Sequence, residues 1–235
     1  MSRGRGVTLA LAVGLLGVGL PGVSPAQVAV TATVASDSLY RSYDLSYGGP
    51  TLSLSALYDA PGGFYVGGAV TGVAARHRGG RFLGHMEYAG YAFRRSAATS
   101  IDIGVSNANY VQFENPAYHV DETEVYAGYV TPRLNAYVYY TPHYLNSGLK
   151  ALYAEVNGNA RLAGPVRVIG HLGMVTPLTG VGDRHERWDV RFGLSVPFPH
   201  GEAQVTWSES RPDLDYATNY ARGRGTVALT LSRFF

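Results

Sequence analysis

Cysteine is absent from the 235 residues, so no disulfide framework or thiolate metal site holds this chain together. Lysine occurs once, as Lys150, and there is no basic tail or lysine-rich face of the kind that nucleic acid selects. Beyond position 26 no apolar run approaches twenty residues, which excludes a helical membrane span in that region. Excess charge is also missing. The sequence pI of about 8.8 overstates the basicity, because Arg3 and Arg5 sit ahead of an apolar run from Val7 to Leu20. Pro21, Gly22 and the small residues Ser24-Pro25-Ala26 complete the pattern of a secretory leader cleaved after Ala26. Its removal leaves 17 bases against the 17 acids. We therefore expect residues 1–26 to be a signal peptide and 27–235 a single exported domain.

What the chain has instead is 18 tyrosines, 30 glycines and a repeated alternation of apolar with polar residues. Leu52, Leu54, Ala56 and Tyr58 interleave with Ser53, Ser55 and Leu57. Ile101, Ile103 and Val105 interleave with Asp102, Gly104 and Ser106, and Trp188, Val190, Phe192 and Leu194 with Asp189, Arg191, Gly193 and Ser195. A period of two with one greasy face predicts β-strands. The predicted strands are 28–39, 50–59, 63–74, 82–93, 99–108, 122–131, 134–142, 149–160, 166–175, 187–196, 202–208 and 226–235. Most have the length that a tilted strand needs to cross an apolar band.

Every second connection is short, as at Ala60 to Gly63, Thr131 to Arg133 and Pro197 to Gly201. The intervening ones, such as Tyr40 to Gly49, Ala108 to Asp121, Thr176 to Glu186 and Glu209 to Gly225, are longer and more polar. This pattern predicts an all-β fold: a transmembrane antiparallel up-and-down β-barrel of about 12 strands, with short periplasmic turns and longer extracellular loops. A soluble β-sandwich is the competing architecture, since it also alternates faces and turns. Val227, Leu229 and Leu231 alternate with Ala228, Thr230 and Ser232 before Phe235, which resembles the C-terminal assembly signal of outer-membrane barrels. Tyr58, Tyr65, Tyr88, Tyr129, Tyr140, Trp188 and Trp207 are expected at the membrane–water boundary. Tyr137, Tyr139 and Tyr153 are expected to pack inside.

Several segments resemble the TorF-type putative porins of proteobacterial outer membranes. Ser36-Asp37-Ser38-Leu39-Tyr40-Arg41-Ser42 is similar to that family's opening Ser-Asp-Tyr-x-Phe-Arg-Gly, with Ser38 and Ser42 in place of the tyrosine and glycine. Further cues are Gly63 to Gly67, Glu124 to Gly128, Tyr153-Ala154-Glu155, His171-Leu172-Gly173 and Asp189 to Gly193. The resemblance implies a barrel with a porin-like role.

If the apolar face meets lipid, the opposite face holds His85, Glu87, Asp102, Glu124, Glu155, Arg167, His171, Asp189 and Arg191, because a charge in a barrel wall needs water or a partner. These are the candidate lumen-lining residues. The expected function is a narrow passive channel for small polar or ionic solutes. Its alternative is a non-conducting barrel that displays loops for adhesion or envelope integrity. An outer-leaflet hydrolase would have to use His119 with Asp121 or Asp183 with His185; neither pair forms a catalytic fingerprint, and no catalytic, cofactor-binding or metal set is assigned. The expected partners are outer-membrane lipid and lipopolysaccharide, the barrel-assembly machinery during biogenesis, and small solutes; nucleic acid is not among them.

Overall fold

The computed structural model describes residues 27–75, 79–96, 98–111, 113, 119–145, 148–179, 186–211 and 225–235. The alternating segments form strands β1 (Gln27–Ala35), β4 (Thr51–Asp59), β5 (Phe64–Ala75), β6 (Gly79–Ser96), β7 (Thr99–Val111), β8 (His119–Val130) and β9 (Leu134–Tyr144). They continue as β10 (Leu149–Ala163), β11 (Val166–Pro177), β12 (Arg187–Phe198), β13 (Gly201–Arg211) and β14 (Thr226–Phe234). Two short strands, β2 (Leu39–Tyr40) and β3 (Tyr43–Asp44), pair with each other as a hairpin. The other twelve run antiparallel in sequence order and close into a barrel where β1 meets both β4 and β14. A sandwich would leave open edges; closure abolishes them.

Alternation sets the two faces of the wall. Along β12 the side chains of Trp188, Phe192, Leu194, Val196 and Phe198 are exposed on the outside, while Arg187, Asp189 and Ser195 are fully buried inside. Large apolar groups are thus exposed over much of the outer wall. The buried set inside contains eight tyrosines. Tyr58, Tyr129, Trp188 and Trp207 lie on the outer face as expected. Tyr65 and Tyr88 do not: their strand positions alternate with exposed Phe64 and Val66 or pair with inward Gly67, so both rings point into the lumen.

Glycine makes room for those rings. Gly90 pairs with Tyr65, Gly104 with Tyr126 and Gly128 with Tyr137 on the neighbouring strand. At each of these glycines a Cβ would overlap the opposing ring. The rings therefore lie flat against the backbone of the next strand, a cross-strand pairing that recovers the packing a strand glycine lacks.

The seam where the chain closes on itself has five paired residues, Thr31 to Ala35 against Thr230 to Phe234. The hydroxyls of Thr33 and Ser232 bond across it at 3.0 Å. Outside that ladder, Ser36 N donates to Leu229 O and Phe235 N to Val30 O.

One expectation is corrected by this architecture. The first strand stops at Ala35 rather than 39, because the chain turns inward: residues 36–39, expected as strand, and 40–49, expected as an outer loop, fold back together into the barrel mouth. Tyr40, Leu45 and Ser46 are buried there, and Phe113 N donates to Leu45 O at 3.0 Å.

Gly128→Val would force Tyr137 off the wall. The expected cost is about 2 kcal/mol, the scale of overpacking a tight core, and it reads as a lower urea midpoint of the refolded barrel in detergent.

Candidate functional site: the two-sided lumen

The β2–β3 hairpin turns through Arg41 and Ser42, both at positive φ (47° and 61°). That is the two-residue turn whose twist matches antiparallel strands, adopted here without glycine. Non-glycine residues in this region carry strain, and the contacts of Arg41 offset it. Its Nη2 donates to both oxygens of Glu124 at 2.8 and 2.6 Å, and its Nη1 to Glu122 Oε2 at 3.4 Å. Tyr40 Oη donates to the same Glu122 oxygen at 3.2 Å. The guanidinium lies 4.0 Å from the ring centroid of Tyr153 and 5.3 Å from that of Tyr139. Cation, carboxylates and rings are all buried, so the pairing is shielded from the solvent that weakens surface ion pairs.

Around this pair the wall from β7 to β12 is filled. Asp102 accepts from Tyr65 at 2.7 Å and from Tyr137 at 2.9 Å, and the hydroxyls of Tyr65 and Tyr126 are 2.6 Å apart. Tyr139 donates to Glu155 at 3.1 Å. His171 places Nε2 2.9 Å from Asp189 and Nδ1 2.8 Å from Asn157. Arg187 donates to the Tyr144 hydroxyl. Tyrosine hydroxyls here serve as donors to carboxylates that burial would otherwise disfavour.

The opposite wall, formed by β13, β14, β1 and β4, carries mostly small hydroxyl side chains, joined by Thr71 of β5, with Glu202 of β13 accepting from Ser195 and Gln204. Between it and the base of the hairpin lies a cavity of about 70 Å³, lined by Thr33, Ser53, Thr71, Thr206, Thr230 and Arg191 among others. Arg191 Nε donates to Ser208 at 3.2 Å. The arginine projects from the filled side toward the hydroxyl side.

Of the nine candidate lining residues, Asp102, Glu124, Glu155, Arg167, His171, Asp189 and Arg191 occupy inward positions. His85 and Glu87 do not. Met86, between them, is 5% exposed and pairs with inward Ala69 and Ala108, so its two neighbours face outward. His85 Nε2 lies 3.4 Å from Glu87 Oε2, and both side chains are about half exposed. His119 and Asp121 are exposed on the outer face of β8. Asp183 and His185 lie outside the described residues. Phe235 is three-quarters exposed at the outer face beyond β14. The residues that sequence reading missed are Arg41, Glu122 and Arg187. Glu122 could have been found, since it shares the inward parity of Glu124.

Asp44, at the hairpin's end, accepts from Ser46 N and Tyr47 N, yet burial and then the neighbouring Asp37 charge push its carboxyl up to about 7.

A family model described as a bacterial protein of unknown function (Gcw_chp) matches residues 21–230. No curated protein matches the chain. Among solved structures, the barrel is similar to the KdgM porin, with a TM-score of 0.53 and 11% identity over 88% of this chain and 98% of that one. It is also similar to the KdgM porin in complex with disordered oligogalacturonate (TM-score 0.51, 12% identity) and to the NanC porin (0.52, 9%), each over 88% of this chain and 98% of the other. At these identities the likeness is one of fold.

Two outcomes follow from the hairpin. Arg41→Ala leaves Glu122 and Glu124 buried without their cation, a loss of about 3–5 kcal/mol, and is expected to undock residues 36–50, seen as faster protease cleavage there in an otherwise intact barrel. For Asp44, a raised pKa means the docked hairpin holds more protons than the undocked one between about pH 4 and 7. Docking is therefore strongest below about pH 4 and weakens as pH rises through 7. Cleavage should increase over that range, and Asp44→Asn should flatten the profile.

Proposed function

Because the chain belongs to the Gcw_chp family of bacterial proteins of unknown function, membership assigns it no activity, and from the lumen we propose a narrow passive channel for small polar or ionic solutes. The carrying observation is the division of the lumen: the tyrosine-and-charge half is filled and pinned by Arg41, while the hydroxyl half keeps a cavity of about 70 Å³ beside Arg191. Hydroxyls give and accept hydrogen bonds without a fixed charge, so they can replace part of a solute's hydration shell while holding it weakly. Arg191 and Asp37 place one charge of each sign against that cavity, so Arg191 sets the anion side of the selectivity and Asp37 the cation side.

The setting of this channel is the outer membrane of a Gram-negative bacterium. The exposed apolar wall favours lipid, and the fold it shares with porins favours that membrane. In the same reading, residues 1–26 are the leader removed on export, residues 27–235 are the barrel, Phe235 is read by the assembly machinery, lipopolysaccharide surrounds the loop end, and the chain is a TorF-type porin. The inward charges are structural and field-setting rather than catalytic.

A second reading draws on the docked hairpin. A lumen half-filled by a buried ion pair also suits a barrel that stays closed and displays its loops. Bilayer recordings separate the two. The channel reading expects discrete conductance steps. A unit charge about 5 Å from an ion is worth about 1 kcal/mol even at the dielectric of water, so Arg191→Gln should lower the anion-to-cation permeability ratio several-fold. Verified insertion with silent bilayers, for wild type and Arg41→Ala alike, would sink the channel and leave the display barrel.

A further inference from the structure

The outer wall is not uniform. On β12 every outward position from Trp188 to Phe198 is apolar. On the flank formed by β6, β7 and β8 the outward positions turn polar toward the loop end: His85 and Glu87 on β6, Asn107 and Asn109 on β7, Asp121 and Thr123 on β8. These six are cross-strand neighbours, with His85 opposite Asn109, Glu87 opposite Asn107, Asn107 opposite Thr123 and Asn109 opposite Asp121. Asn107 Nδ2 donates to Thr123 Oγ1 at 2.9 Å, and Glu87 keeps a 58% exposed side chain.

On its β6 side this patch does not sit above the apolar band. On β6 the His85–Glu87 pair lies between exposed Phe82, on its loop side, and exposed Tyr91 and Phe93, on its turn side. Phe82 stacks on His85 with ring centroids 6.4 Å apart. Beside it on β5 are exposed Val66 and Val70. A carboxylate, an imidazole and two amides bracketed by apolar groups are poorly suited to lipid chains, which offer no hydrogen bond.

We propose that this flank is the interface of a homodimer, two copies meeting at β6–β8 around a two-fold axis along the membrane normal through β7. The proposal rests on the reading that the apolar wall is embedded in a bilayer, where both copies share one orientation. The patch is complementary to itself. An amide offers donor and acceptor together, so Asn107 and Asn109 can each bond their own counterpart across the axis. The same axis lays β6 of one copy against β8 of the other, bringing the His85 side toward the Asp121 and Thr123 side. Such reciprocity is what an isologous contact requires. Lipopolysaccharide phosphates fit less well: the patch holds two carboxylates, and the nearby Arg81 is turned to the Phe113 carbonyl.

The chain has no cysteine, which makes cross-linking clean. Full-length protein is reconstituted in liposomes, and faster gel migration of unheated samples first verifies the folded, inserted barrel; failure at that step counts against the membrane reading. Oxidation of Asn107→Cys and Asn109→Cys should then give a species of twice the monomer mass, while Val190→Cys on the opposite flank should not. Light scattering of the detergent-solubilised wild type should report a dimer, and Asn107→Leu with Asn109→Leu, which suits lipid better, a folded monomer. Three results overturn the dimer with the barrel intact: no cross-link at either asparagine, equal cross-linking at Val190→Cys, or a native mass of one chain carrying lipopolysaccharide that the double leucine variant loses.

Discussion

A guanidinium buried between two carboxylates organises the inside of this barrel. Desolvating one cation and two anions is expensive, and the arrangement holds only because the contact of Nη2 with both Glu124 oxygens, the reach of Nη1 to Glu122, the tyrosine rings of Tyr139 and Tyr153 and the hydroxyl of Tyr40 act together. The consequence is positional. Residues 36–50 cannot lie on the outside while Arg41 is satisfied, so the first long connection becomes a wall of the lumen. The cavity beside Arg191 is what that wall leaves over.

The tyrosines make the same constraint tolerable on the neighbouring strands. A twelve-stranded barrel encloses more space than small side chains can fill. Large rings fill it, but only where the adjacent strand presents no side chain, as Gly90, Gly104 and Gly128 do. Tyr65 and Tyr137 then carry their hydroxyls to buried Asp102, and Tyr126 bonds the hydroxyl of Tyr65. The high counts of tyrosine and glycine have one cause in this wall: they are two halves of one packing device.

Strand positions were legible because lipid on one side and polar groups on the other impose a period of two, and each of the twelve wall strands overlaps a segment that alternation marked, although β1 ends four residues before its expected end. The inward set was legible for the same reason at Asp102, Glu155, Asp189 and Arg191. His85 and Glu87 face outward because the irregular pairing of β5 with β6 between Thr71 and Gly72 introduces a parity change that alternation does not announce, and there they lie 3.4 Å apart. Arg41 was out of reach for a different reason. Its partners lie 81 and 83 residues away, and nothing local marks a hairpin that turns inward from one that turns outward. In the sequence the segment shows only as a long polar connection and as the stretch that resembles the family's opening motif.

The closing seam has a mechanical meaning. Neighbouring strands elsewhere in the wall share longer ladders, as β1 and β4 do over nine residues, but β1 and β14 share five. Both chain ends enter the wall at that shortest ladder. Tension applied to the two ends would load its hydrogen bonds first and peel the wall open one hairpin at a time, like a zip whose slider is parked at the weakest teeth. Opened from there, the cylinder unrolls before it stretches.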